Sequence, residues 1–185
     1  MKSRRIHLMG ASGSGVTTLG RGLAGRLALP HHDSDDYFWL PTVPPYQTTR
    51  PATDRLRLMR EMFLPRHDWV LSGSVTGWGD PLVPLFDLVV FVSTQRELRL
   101  QRLHAREAAH FGADAVAPGG WRHEETTSFV EWASHYEAGD REGRSLARDE
   151  AWLARLPCPV VRVDGARPVA ELVEQLCTDA ARLPD

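Results

Sequence analysis

A largely apolar run, Ile6-His7-Leu8-Met9, stops at Gly10, and Gly15 then opens a segment in which Val16, Leu19, Leu23 and Leu27 recur every three or four positions. The first pattern reads as a buried strand and the second as one face of a helix. The chain therefore turns from strand to helix through one glycine-rich loop, Gly10-Ala11-Ser12-Gly13-Ser14-Gly15-Val16-Thr17. Glycines at 10, 13 and 15 let the backbone take positive φ and approach an anion closely, with amides of the loop and of the first helical turn pointing inward. Strand, loop and helix in this order are the context that a phosphate-binding loop requires. Thr17 holds the hydroxyl position that would ligate Mg2+, and Thr18 follows it.

Four more apolar runs, at 30–32, 69–72, 88–92 and 160–163, alternate with helical spacings at Leu56, Met59 and Phe63, at Leu98, Leu100 and Leu103, and at Val169, Leu172, Val173 and Leu176. The alternation predicts an α/β fold in which a five-stranded parallel sheet is flanked by helices on both faces. At 185 residues the chain suffices for one substantial core, so residues 1–185 are read as a single domain. Residues 41–51, rich in proline and threonine, and 111–121, with Gly112, Pro118, Gly119 and Gly120, interrupt the alternation. Long irregular stretches in compact domains are commonly functional. They mark an acceptor-binding region at about 37–66 and a lid at about 109–125.

Basic and acidic residues nearly balance, 22 against 24, so no global field points to nucleic acid or an anionic membrane as partner. Met1-Lys2-Ser3-Arg4-Arg5 leads to only four largely apolar residues, too few for a signal-peptide core, and no window approaches the roughly 20 apolar residues of a membrane span. A cytoplasmic protein is expected, with Cys158 and Cys177 as buried free thiols. His104, His110 and His123 match no metal pattern and are read as surface residues.

Val16 fills the slot in which a phosphate loop ordinarily carries lysine, the point charge between β- and γ-phosphates. Lys2 is the only lysine in the chain, but drift from lysine to arginine would have left an arginine at 16. An arginine from elsewhere supplies the charge, or transfer is slow or lost. Beyond the second run, Asp33-Ser34-Asp35-Asp36 places carboxylates at the carboxyl edge of the sheet, beside the loop. A metal-bound triphosphate needs one carboxylate for Mg2+ or its waters, and a kinase needs another near the acceptor hydroxyl. Asp33 or Ser34 also suits the N-cap of a helix, and the two roles are compatible.

The loop, with Asp33-Ser34-Asp35 some twenty residues on, resembles the P-loop small-molecule kinases: shikimate kinase, gluconate kinase and the nucleoside-monophosphate kinases. The whole chain is also similar to adenylate-kinase-like or AAA-family ATPases of unknown substrate that share a lysine-less loop. The resemblance implies a three-layer P-loop NTPase fold, ATP and Mg2+ as cofactors, Asp33 and Thr17 as metal ligands, and Asp35 at the acceptor alcohol. It implies that Arg102 and Arg106, on one helix face with Arg99, grip the transferring group, and that Arg144, with Arg148, supplies further phosphate contacts. It places the acceptor against Gly73, Ser74 and Trp78, and the adenine beside the turn at Gly165. Trp39 and Tyr46 suggest an aromatic wall, and Arg50 or Arg55 a partner for an acidic group. The expected function is ATP-dependent phosphoryl transfer to a small-molecule acceptor, nucleotide, nucleoside or shikimate- or gluconate-like alcohol, by a monomer or homodimer. A nucleotide-binding regulatory protein with little or no transfer, or a slow ATPase, is the alternative that Val16 favours.

Overall fold

The structure, a computed structural model, describes residues 4–182. The charged start of the N-terminus, Met1 to Ser3, lies outside the described residues. Five strands, β1 (Arg4–Gly10), β2 (His31–Asp33), β3 (Asp68–Ser72), β4 (Leu88–Ser93) and β5 (Val160–Asp164), form one sheet of order β2-β3-β1-β4-β5 in which every pairing is parallel. The helices are α1 (Val16–Leu27), α2 (Ser34–Phe38), α3 (Ala52–Met62), α4 (Arg96–Phe111), α5 (Ala113–Val116), α6 (His123–Ser134), α7 (Leu146–Leu153) and α8 (Val169–Ala181). Registers such as Leu8 opposite Ser72 and Gly10 opposite Val92 bring the carboxyl ends of β1, β3 and β4 to one edge.

Period-two alternation divides the core. Ile6, Leu8, Val70, Leu88 and Val90 face one side, where Leu19 and Leu23 of α1 and Leu172 and Leu176 of α8 cover them. Met9, Trp69, Leu71, Val89 and Phe91 face the other, against Met59 of α3, Phe63 just beyond it, and Trp152 of α7. A satellite cluster of Leu103, Val130 and Ala133 fastens α6 to α4.

Three expectations change in detail. The second strand begins one residue later than its apolar run and ends on Asp33. The stretch 111–121 is not wholly irregular: α4 continues through Phe111, Gly112 ends it at φ 96°, and the short α5 follows before α6. Four helical residues are too few to show a periodicity. Cys158 and Cys177 are free, but half-buried rather than buried, and partial burial pushes both thiols up. Among the described residues no helix is long and apolar enough to cross a membrane.

His7 alternates onto the α7 face of β1, where it has no exposed surface. It stacks on Phe86 at 4.8 Å, and its Nδ1 lies 3.1 Å from the Leu71 carbonyl, while Nε2 has no partner. Burial lowers its pKa from 6.5 to about 4, so it is neutral when folded. The unfolded chain takes up the proton first as pH falls. The stability tied to neutral His7 is therefore complete above pH 6.5 and drains away toward pH 4, by about 3 kcal/mol over that window. Urea titrations from pH 7 to about pH 4 should show the stability of His7→Gln falling less steeply than that of the wild type; equal slopes would refute the assignment.

Candidate active site

The loop leaves β1 beneath the Val92 carbonyl and enters α1 through Gly15. Gly13 takes φ 81°, and a Cβ there would lie 2.5 Å from the Arg99 carbonyl, so only glycine lets the loop rest on α4. Ser14 is buried and its hydroxyl has no partner. A buried hydroxyl left unbonded inside a ring of amides fits an anion with oxygen acceptors. Val16 is 8% exposed and belongs to the core cluster under α1, so the loop itself brings no cation.

Thr17 Oγ1 donates to Asp33 Oδ2 at 2.9 Å, which joins the start of α1 to the end of β2. The other oxygen of Asp33 accepts the Asp35 amide at 3.1 Å and caps α2. Asp33 is thus the cap that the sequence suggested, through Oδ1, while Oδ2 is held by Thr17. Gly73 brings the end of β3 against this turn, since a Cβ there would meet the Ser34 hydroxyl and stand 3.4 Å from Asp33 Oδ1. Among the described residues no group of three or more His, Cys, Asp or Glu side chains is arranged to hold a metal. Thr17 and Asp33 instead suit Mg2+, which keeps several waters and takes one or two protein oxygens beside phosphate.

Asp35 keeps an exposed face, yet the cleft walls crowd it. Desolvation first, and then the Asp33 charge, push its carboxyl up to about 6, while Arg144 and Arg106 pull it back down. Tyr46, at a left-handed φ of 66°, stands near the same group, and burial followed by the Asp35 charge raises its phenol. Its ring meets Trp39 edge-on at 6.0 Å.

The arginines divide by position, although Arg99, Arg102 and Arg106 share a helix face. Arg99 is 1% exposed and is consumed by Glu137 and the Ser12 carbonyl. Arg102 lies on the flank of the loop, where Nη1 donates to the Gly165 carbonyl at 3.0 Å and stands 3.5 Å from the Ser14 carbonyl. With Gly15, Thr18 and Leu172 it borders a cavity of about 220 Å3 beside the Gly165 turn. A larger cavity, about 440 Å3, lies past Ala11 toward Tyr136 and Glu137; none of Thr17, Asp33, Asp35 or Arg144 lines either cavity, and the smaller one is bordered by the loop residues Ser14 and Gly15. Arg106 is exposed beside Glu107 and within electrostatic reach of Asp35. Arg148 returns to the Gly143 carbonyl and stays outside the cleft.

Arg144 precedes the Ser145 cap of α7 and donates to the carbonyl of Gly10. Behind it Asp149, with no exposed surface, accepts from Thr76 Oγ1 at 3.0 Å and from the Tyr136 hydroxyl at 2.8 Å, its Oδ2 standing 3.8 Å from Arg144. Sequence reasoning missed Asp149, Tyr136 and Thr76. They come from three separate segments of the chain, and no local pattern joins them.

On the acceptor side Arg50 spends its donors on the carbonyls of Tyr37 and Trp39, at 2.9 and 3.2 Å, and so pins residues 39–50 rather than facing the cleft. Arg55 is the candidate that remains. Its guanidinium lies 3.8 Å from the Phe38 ring centroid and 5.2 Å from that of Trp78, with Nε bonded to the Arg50 carbonyl, and burial lowers its pKa. Among the described residues no carboxylate pairs with it. Ser74 Oγ is buried without a partner.

Comparison with solved structures finds the same fold in kinases of small molecules. A gluconokinase from Sinorhizobium meliloti 1021 superposes with a TM-score of 0.56 at 20% identity, over 98% of this chain and 93% of that one. Shikimate kinase from Acinetobacter baumannii, in complex with shikimate, gives 0.54 at 18% over 98% and 96%, and shikimate kinase from Bacteroides thetaiotaomicron 0.53 at 17% over 96% and 98%. No protein-family model matches the chain. A relative does so over nearly its whole length: the uncharacterized protein YqaC of Bacillus subtilis (strain 168) is 40% identical over 173 residues, 94% of this chain and 95% of its own. On a fold shared with the P-loop small-molecule kinases, the chain belongs to the family of Bacillus subtilis YqaC.

Proposed function

We propose that the protein is a kinase that transfers the terminal phosphoryl group of ATP to a hydroxyl of a small acceptor bearing an acidic group. The observation that carries this reading is the position of Asp35, one turn from the Thr17–Asp33 pair and under the opposing fields of Asp33 and of Arg144 and Arg106. A binding protein has no need of a second carboxylate beside the Thr17–Asp33 pair, whereas a kinase uses one near the acceptor hydroxyl as its base.

The loop amides and Ser14 receive the phosphates, and the cavity between Arg102 and Gly165 receives the base. Thr17 and Asp33 hold Mg2+, which when bound neutralises charge on the phosphate oxygens. Asp35 accepts the acceptor hydroxyl proton as its oxygen attacks the terminal phosphorus; the bond to the leaving phosphate breaks and ADP departs. Arg144 and Arg106 supply positive charge around the transferring group. Arg55, buried among aromatic rings without a carboxylate, holds the acidic group of the acceptor, and Gly73, Ser74 and Trp78 complete that wall. One observation favours a second reading, a nucleotide-binding regulatory protein: Val16 leaves the loop without its own cation.

An ADP-release screen over monophosphates, nucleosides and sugar or carbocyclic acids separates the two. One acceptor class should release ADP; tight ATP binding with no release on any acceptor favours the regulatory reading. Asp35→Asn should keep Mg2+-ATP binding and lose roughly a hundred- to ten-thousand-fold in kcat, and undiminished turnover would remove Asp35 from the mechanism. Arg55→Met should raise the acceptor KM by roughly tenfold or more with a much smaller change in kcat, and an unchanged KM would place the acidic group elsewhere.

A further inference from the structure

Val16 is packed in the core, so the charge absent from the loop must come from another element. Of the arginines near the loop, Arg99 is neutralised by Glu137, Arg102 sits on the flank and Arg106 pairs with Glu107 on an exposed helix face. Arg144 alone touches the residue at which the loop begins, through the Gly10 carbonyl. The Arg144 guanidinium is also within electrostatic reach of Asp35. Its Nε is buried and has no acceptor, which an anion would satisfy.

The guanidinium is held from behind. Asp149 is wholly buried, with one oxygen taken by Thr76 and the other by Tyr136, and it lies 3.8 Å from Arg144. Burial, and then the Asp149 charge, push the Tyr136 phenol upward, so it remains a proton donor to the carboxylate. The Gly143 turn at φ 101° and the Ser145 cap fix the backbone on either side of Arg144. Thr76 belongs to the acceptor-side turn, so a single buried carboxylate ties that turn to the cation at the loop.

We propose that Arg144 takes the place of the missing phosphate-loop lysine, and that Asp149, bonded to Thr76 and Tyr136, is the positioning residue that sets it against Gly10. The proposal rests on the reading of the loop as an ATP site. A cation at the outer phosphates discriminates ATP from ADP, a selectivity that a purely structural arginine would not set.

Calorimetry with Mg2+-ATP and Mg2+-ADP on the intact protein tests it. Arg144→Met should weaken ATP binding by roughly ten- to hundredfold and ADP binding much less. Arg144→Lys should recover most of the loss, and Val16→Lys in the Arg144→Met background should restore the preference for ATP. Asp149→Asn should reduce the ATP-to-ADP ratio by a few fold while the variant stays folded by circular dichroism. Should the buried lysine at 16 unfold the double variant, the comparison of Arg144→Lys with Arg144→Met decides alone. ATP binding by Arg144→Met equal to that of the wild type would overturn the proposal and leave the kinase reading standing. Failure of the wild type to bind ATP would overturn both.

Discussion

Arg99 lies beneath the phosphate loop, and much of the site depends on how its charge is satisfied. Nη1 donates to the Ser12 carbonyl at 3.0 Å and Nη2 to both oxygens of Glu137 at 2.5 and 2.7 Å, while the backbone carbonyl of the same residue is the surface on which Gly13 rests. Taking a guanidinium out of water costs several kcal/mol. Two charge-assisted bonds to one carboxylate offset that cost, and Glu137, 38% exposed, keeps water on its outer side. A lysine would have to make all of these bonds from a single nitrogen, whereas the guanidinium divides them between two. The loop, α4 and the segment after α6 are thus tied together through one side chain. The Tyr136 ring lies 5.4 Å from the same guanidinium and its hydroxyl continues to Asp149, so the support of the loop and the support of Arg144 share a residue.

The fold was legible because its signals are local. Short continuous apolar runs in β1, β3 and β4, three-to-four spacing in α1 and α8, and the glycines between β1 and α1 each report a structure made by neighbours in sequence. The meeting of Thr17 with Asp33 was legible for the same reason, since they lie at the ends of elements that the parallel order brings together. Arg99 and Arg102 share a helix face yet bond different groups, Glu137 and the Gly165 carbonyl, because a shared face does not fix what each side chain meets. Arg50 was misread for a different reason. A guanidinium beside aromatic residues can serve either backbone carbonyls or a ligand, and its bonds to Tyr37 and Trp39 are set by the path of residues 39–50, which carries no periodic signal. Asp149, Tyr136 and Thr76 left almost no trace because their relation is wholly tertiary, with Thr76 more than seventy positions from Asp149.

Moving the cation from the loop to the turn before α7 changes the energetics of the site as well as its geometry. A lysine at position 16 would be held by α1 whatever the rest of the chain did. Arg144 is held by the Gly143 turn, the Ser145 cap and the Asp149 network, so its charge is present at the loop only while α7 and Tyr136 are docked. Phosphate binding and docking of that segment are therefore linked, and linkage is reciprocal: whatever firms the docking strengthens phosphate binding by the same free energy with which phosphate firms the docking. Thr76 brings the acceptor turn into this relation through Asp149. An acceptor that orders residues 73–78 thereby favours the placement of Arg144, and a site of this kind gathers its full charge when both substrates are present. On the proposed function, the charge needed for transfer is complete only once the acceptor excludes solvent.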